Sequence, residues 1–143
     1  MRRVLLFASL LLVPAVAASA QERPVEMRQT LVDLTRVLGE SHALRQACEG
    51  ADDQYWRSRM SRLVEAEQAE PELETKMRDS FNAGFAEARR LYQGCDDGVR
   101  RAQGLMAARG RELSTTLAHA KYRSGVMQPT PEEEGVTAEP PPR

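Results

Sequence analysis

The chain has 143 residues, with 29% charged and 5% aromatic side chains, and twenty bases against twenty-one acids. An almost neutral balance with few aromatics argues against a nucleic-acid partner, because the phosphate backbone is bound by a net basic face. Arginine outnumbers lysine eighteen to two, a bias that genome composition explains more simply than anion recognition.

Residues 1–20 read as an export signal. Arg2 and Arg3 form a charged start, Val4 to Val16 an apolar stretch interrupted by Pro14, and Ala18-Ser19-Ala20 a small-residue cleavage site. The apolar stretch is shorter than the ~20 residues a spanning helix needs. The expectation is therefore cleavage before Gln21, release into the periplasm and no stable membrane anchor. Without Arg2 and Arg3, eighteen bases face twenty-one acids.

One helical domain is expected over residues 21–123, since roughly a hundred residues suffice for one core. Met27, Leu31, Leu34, Leu38, Leu44 and Cys48 recur at helical spacing, widened by Val37, and predict a first helix from Pro24 to Cys48. Gly50 suits a left-handed stop, and Asp52 or Asp53 can accept from the free amides of the next turn. Trp56, Met60, Leu63, Val64 and Glu67 mark a second helix ending near Ala69. Pro71 suits the first turn of a third, where Glu72 and Glu74 complement the positive helix end.

The third stripe is the strongest: Leu73, Met77, Phe81, Gly84, Phe85, Ala88, Leu91, Tyr92 and Cys95. Within it, Gly84 is a place for another backbone to approach closely. Gly94 reads as a cap and Asp96 or Asp97 as the start of a fourth helix through Val99, Ala102, Met106, Gly110, Leu113 and Leu117 to about Arg123. Gly98, Gly104 and Gly110 each cost an isolated helix ~1 kcal/mol relative to alanine, so this helix is expected to be the softest and to kink. From Ser124 to Arg143 the period is lost and Pro and Glu accumulate, the composition of a disordered tail.

The fold class is thus all-α, a small bundle of about four helices. In an up-down-up arrangement the first and third helices run parallel and end together, so Cys48 and Cys95 are expected to tie helices one and three by a disulfide, with helix four packed alongside. Closing a loop of about 47 residues stabilises by ~4 kcal/mol in the chain-entropy model. An oxidising compartment and the lack of C-x-x-C favour this bridge over a metal or redox pair.

No motif names a chemistry. His42 and His119 stand in no H-x-x-x-H or H-E-x-x-H array, C-x-x-C-H is absent, and Ser41 beside His42 cannot make a triad because helical neighbours diverge. No catalytic residue, metal or cofactor is expected. Polar groups do crowd near Cys48: Glu40, His42, Arg45 and Gln46, within reach of Trp56, Arg57 and Asn82 across the helix interfaces. A buried polar network that fixes helix crossings is the simplest reading, and a ligand pocket the sharper one.

Four strings in order carry a resemblance: Leu38-Gly39-Glu40-x-His42-x-Leu44-Arg45-Gln46-x-Cys48, Trp56-Arg57-x-x-Met60, Phe81-Asn82-x-Gly84-Phe85 and Tyr92-x-x-Cys95. Together they resemble a family of small exported alphaproteobacterial proteins of unknown function. The resemblance implies an exported helical domain with two cysteines and supplies no catalytic residues. The function expected is a non-catalytic interaction or scaffold protein of the cell envelope, partnered by another envelope protein. The alternative is a binder of a small ligand or metal through Glu40, His42 and Arg45.

Overall fold

A computed structural model describes residues 23–125. The export signal expected at 1–20 and all but the first two residues of the tail expected over 124–143 lie outside the described residues. Four helices follow in order: α1 Val25–Glu49, α2 Tyr55–Glu67, α3 Pro71–Leu91 and α4 Asp97–Arg123.

Local signals set most of the boundaries. Gly50 ends α1 with φ 102°, a conformation that side chains rarely adopt. Asp53 Oδ1 accepts from the Tyr55 amide at 3.1 Å as α2 begins. Pro71 opens α3, and Asp96 Oδ1 accepts from the Val99 amide at 2.8 Å to cap α4. Despite Gly98, Gly104 and Gly110, α4 runs unbroken over 27 residues.

The helices are arranged around α1. It packs on α3 most extensively, then on α4 and α2; among the described residues the backbone of α4 comes close to that of α1 alone, while its Leu117 and Lys121 side chains reach α2. Contacts fix the directions. Val32 lies by Ser80, Arg36 by Gly84 and Cys48 by Cys95, so α1 and α3 are parallel. Leu44 lies by Gln103 and Val37 by Gly110, so α4 runs antiparallel to α1. The expected three-helix core with a fourth alongside is therefore a central helix with three around it. From Leu34 to Leu44, α1 buries residues on several sides, including the small or polar Thr35, Gly39, Ser41, His42 and Ala43.

Two glycines make the α1–α3 contact possible. A Cβ on Gly39 would stand 2.8 Å from the Phe81 carbonyl carbon and 3.0 Å from the Phe85 nitrogen. On Gly84 it would collide with the Arg36 carbonyl oxygen and come within 3.2 Å of its carbon. Each glycine thus receives the other helix's backbone, and neither obstacle is a flexible side-chain end. Ser80 Oγ donates to the Val32 carbonyl at 2.8 Å one turn away.

Three apolar clusters line α1. Met27 and Leu31 join Met60, Val64, Leu73, Met77, Phe81 and Leu117; Leu34 and Val37 join Leu113; Leu44 joins Val99 and Ala102. Beyond the first cluster, the buried Glu67 accepts from Arg23 at 2.7 Å and from Lys121, tying the ends of α2 and α4 to the residue preceding Pro24.

The disulfide Cys48–Cys95 is present, with Cα atoms 4.6 Å apart, but it does not tie α1 to α3. α3 stops at Leu91, because Tyr92 turns extended (φ −127°, ψ 101°) and packs against the Leu44–Val99–Ala102 cluster. Cys95 consequently lies in the connection two residues ahead of α4, and Gly94 is not the helix cap. The bridge joins the last turn of α1 to the start of α4.

Substituting Gly39 or Gly84 by alanine is expected to lower stability by about 3 kcal/mol each, at the upper end of ordinary overpacking because backbone must move. Chemical denaturation measures it. Alanine at Gly104, where an added Cβ meets nothing within 4 Å, is expected to be neutral or stabilising.

Candidate functional site

The polar residues near Cys48 separate into three environments. Residues two apart on a helix diverge by about 200°, so Glu40 and His42 face opposite ways. Glu40, His42 and Arg45 do not converge on one point.

His42 is fully buried. Its ring lies 5.7 Å from that of Phe81 and 5.2 Å from that of Phe85, centroid to centroid, so α3 covers it. Gln46 approaches from the next turn of α1, its amide nitrogen 3.4 Å from His42 Nε2. That amide already donates to the carbonyl oxygens of Ala51 at 2.7 Å and Asp53 at 3.0 Å. With two hydrogens and both committed, Gln46 has none left for the imidazole. His42 Nδ1 is buried without a hydrogen-bond partner among the described residues. Burial pushes the imidazole pKa below 6.5 and the Arg57 charge adds to this, against a smaller opposing pull from Asp53. Both effects favour the neutral ring.

Arg45 turns toward the α1–α2 connection. Its Nε donates to Asp53 Oδ2 at 2.8 Å, and its guanidinium lies 4.9 Å from the Tyr55 ring centroid. Burial alone would raise the Asp53 pKa, but Arg45 and the Tyr55 amide outweigh it and hold the carboxyl below its ordinary value. Asp53 is the member of this network that sequence reasoning placed only as a helix-start residue. Its distance of eight residues from Arg45, across the Gly50 turn, was the available signal.

Trp56 and Arg57 diverge. Trp56 meets Tyr55 edge-on at 5.0 Å, while Arg59 stands over Tyr55 and donates to its hydroxyl at 2.6 Å. Arg57 lies over the Phe81 ring at 5.8 Å and shares a cleft of about 120 Å³ with the exposed Asn82. Arg57 and Asn82 are thus brought together, on the outer side of the aromatic layer that covers His42.

Glu40 faces a different opening, between α3 and α4. Arg36 bridges it, at 3.3 Å, to Glu87 on α3. Burial raises the Glu40 pKa; Arg36 opposes this and Glu87 reinforces it, leaving the net direction upward. A third opening of about 390 Å³ lies between the C-terminal ends of α1 and α3, lined by Ala43, Gln46, Ala47, Arg89, Tyr92 and Gln93. Arg89 stands over Phe85 there with no carboxylate partner among the described residues. Among the described residues no group of three or more His, Cys, Asp or Glu is placed to hold a metal ion.

Two pH effects follow. Because the folded pKa of His42 is depressed, the unfolded chain binds the proton more readily, and stability is lost as pH falls below about 6.5. In His42→Phe, denaturation curves at pH 7.5 and 5.5 are expected to differ less than in the wild type; an unchanged difference contradicts the assignment. Glu40 has the opposite sign. Its raised folded pKa makes ionisation a cost above the ordinary 4.5, so Glu40→Gln is expected to be at least as stable as wild type at pH 7.

No curated protein and no solved structure matches the chain. The model of one family, described as a protein of unknown function (DUF2385), matches residues 26–122, which takes in the four helices but for the first residue of α1 and the last of α4, and every residue of the polar network. The chain belongs to this family of unknown function, DUF2385.

Proposed function

We propose that this chain is an exported, non-catalytic interaction protein of the cell envelope that works through an outer helix face. The carrying observation is where its polar and apolar groups are spent. Arg45 is engaged by Asp53, the Gln46 amide by two backbone carbonyls, and His42 by the aromatic layer, so the chemistry-bearing residues serve the interior. Large apolar side chains stand outside instead: Leu91 is 58% exposed and Leu105 67%. Single exposed apolar residues are ordinary. Leu91 lines the opening between α3 and α4, and Leu105 lies one turn along α4 from Ala102, which lines it too. The Cys48–Cys95 bridge suits an oxidising compartment, and no helix among the described residues is long and apolar enough to cross a membrane.

Photo-crosslinking in cells tests this reading. A photoreactive residue at Leu105 is expected to capture one defined envelope protein that the same group at Thr115, on the exposed side of α4, does not capture. Equal capture from both positions, or from neither, contradicts it.

A second reading, the binding of a small anionic ligand, is favoured by one observation: the 390 Å³ opening presents Arg89 beside the Gln46 and Gln93 carboxamides. That volume falls in the range of small-molecule sites. The reading no longer involves Glu40 or Arg45.

A further inference from the structure

The opening between α3 and α4 has a chemistry of its own. Both helices pack on α1 but not on each other, so a strip of α1 at Glu40 and Leu44 lies between them uncovered by a third helix. Its walls are Ala88 and Leu91 of α3 and Ala102 and Met106 of α4, and its volume is about 150 Å³. That is below the roughly 300 Å³ at which small-molecule pockets begin. It is room for an apolar side chain pressed in from outside. Leu91 in the α3 wall is more than half exposed, as is Leu105, one turn along α4 from Ala102.

Charge selects the occupant. The charged residues that line the opening are both acidic, Glu40 and Glu87, and they share the single guanidinium of Arg36. A second copy of this chain, seated by the same surface, would bring one acidic rim against another.

We propose, as an extension of the interaction reading above, that this groove receives a basic amphipathic helix of a partner protein, whose apolar face packs on Leu91, Ala102, Leu105 and Met106 and whose Lys or Arg side chains reach Glu40 and Glu87. Helix-in-groove recognition supplies apolar anchors at one-turn spacing, and the rim charges supply orientation and selection.

The test uses two synthetic 18-residue helices with the same leucine face, one flanked by lysines and one by glutamates. Each is titrated into the isotope-labelled chain purified after export and followed by amide shifts. The lysine helix is expected to perturb Leu91, Ala102 and Leu105 and to bind at least tenfold more tightly than the glutamate helix. In the Glu40→Gln/Glu87→Gln variant, whose unperturbed spectrum reports an intact fold, that preference is expected to disappear. No binding of the lysine helix, equal binding of the two, shifts confined to other surfaces, or self-association that perturbs the same amides would each overturn the proposal. If the groove fails this test while crosslinking still captures one protein through another helix face, the interaction reading stands and only the site and partner class are lost.

Discussion

The contact between the backbones of α1 and α3 is the constraint from which the rest of this structure follows. Gly39 accepts the Phe81 carbonyl against its bare Cα, and Gly84 accepts that of Arg36. Two helices that meet this closely in parallel are fixed in register, since a slide of either sets a side chain where backbone now lies. The register in turn places Phe81 and Phe85 over His42 and Glu87 beside Arg36. It also explains why α1 is buried on several faces without being apolar on all of them. Small residues such as Gly39, Ser41 and Ala43 permit the approach, and the polar ring of His42 is enclosed by it.

With α3 so close, the remaining helices attach mainly to α1, and two devices hold the ends. The disulfide fastens the last turn of α1 to the start of α4, while Glu67 gathers Arg23 and Lys121 at the opposite end. Glu67 is buried, so removing it would strand two cations, an outcome that generally costs more than an intact buried pair contributes. Between these fastenings α3 and α4 stay apart. The groove at Glu40 is the consequence.

Much of this was legible in the residues. Helical spacing placed all four helices, Gly50 and Asp96 marked their ends, Cys48 and Cys95 were paired, and Gly84 was singled out for close approach. What escaped was three-dimensional. A stripe of apolar residues shows one buried face, and although His42 was expected in a buried polar network, nothing in α1 announces that Thr35 is buried too. Gly39 carries no signal apart from its partner forty-odd residues away. The end of α3 was misplaced because Tyr92 and Cys95 continue the period perfectly well; the chain leaves the helix for a tertiary contact with Leu44 and Val99, and periodicity cannot register that. The supposed cluster of Glu40, His42 and Arg45 was close in sequence but divided by the turn of the helix, so their chemistry is distributed among a groove, the interior and a connecting loop.

Native-state hydrogen exchange tests the central claim most directly. If the α1–α3 contact is the frame, amides flanking Gly39 and Gly84 should be the most protected in the molecule and should exchange together, through global unfolding, with α4 opening at lower free energy. Exchange of α3 by a separate, cheaper opening while α1 and α4 remain protected would contradict the account, because it would place the frame in the α1–α4 pair instead.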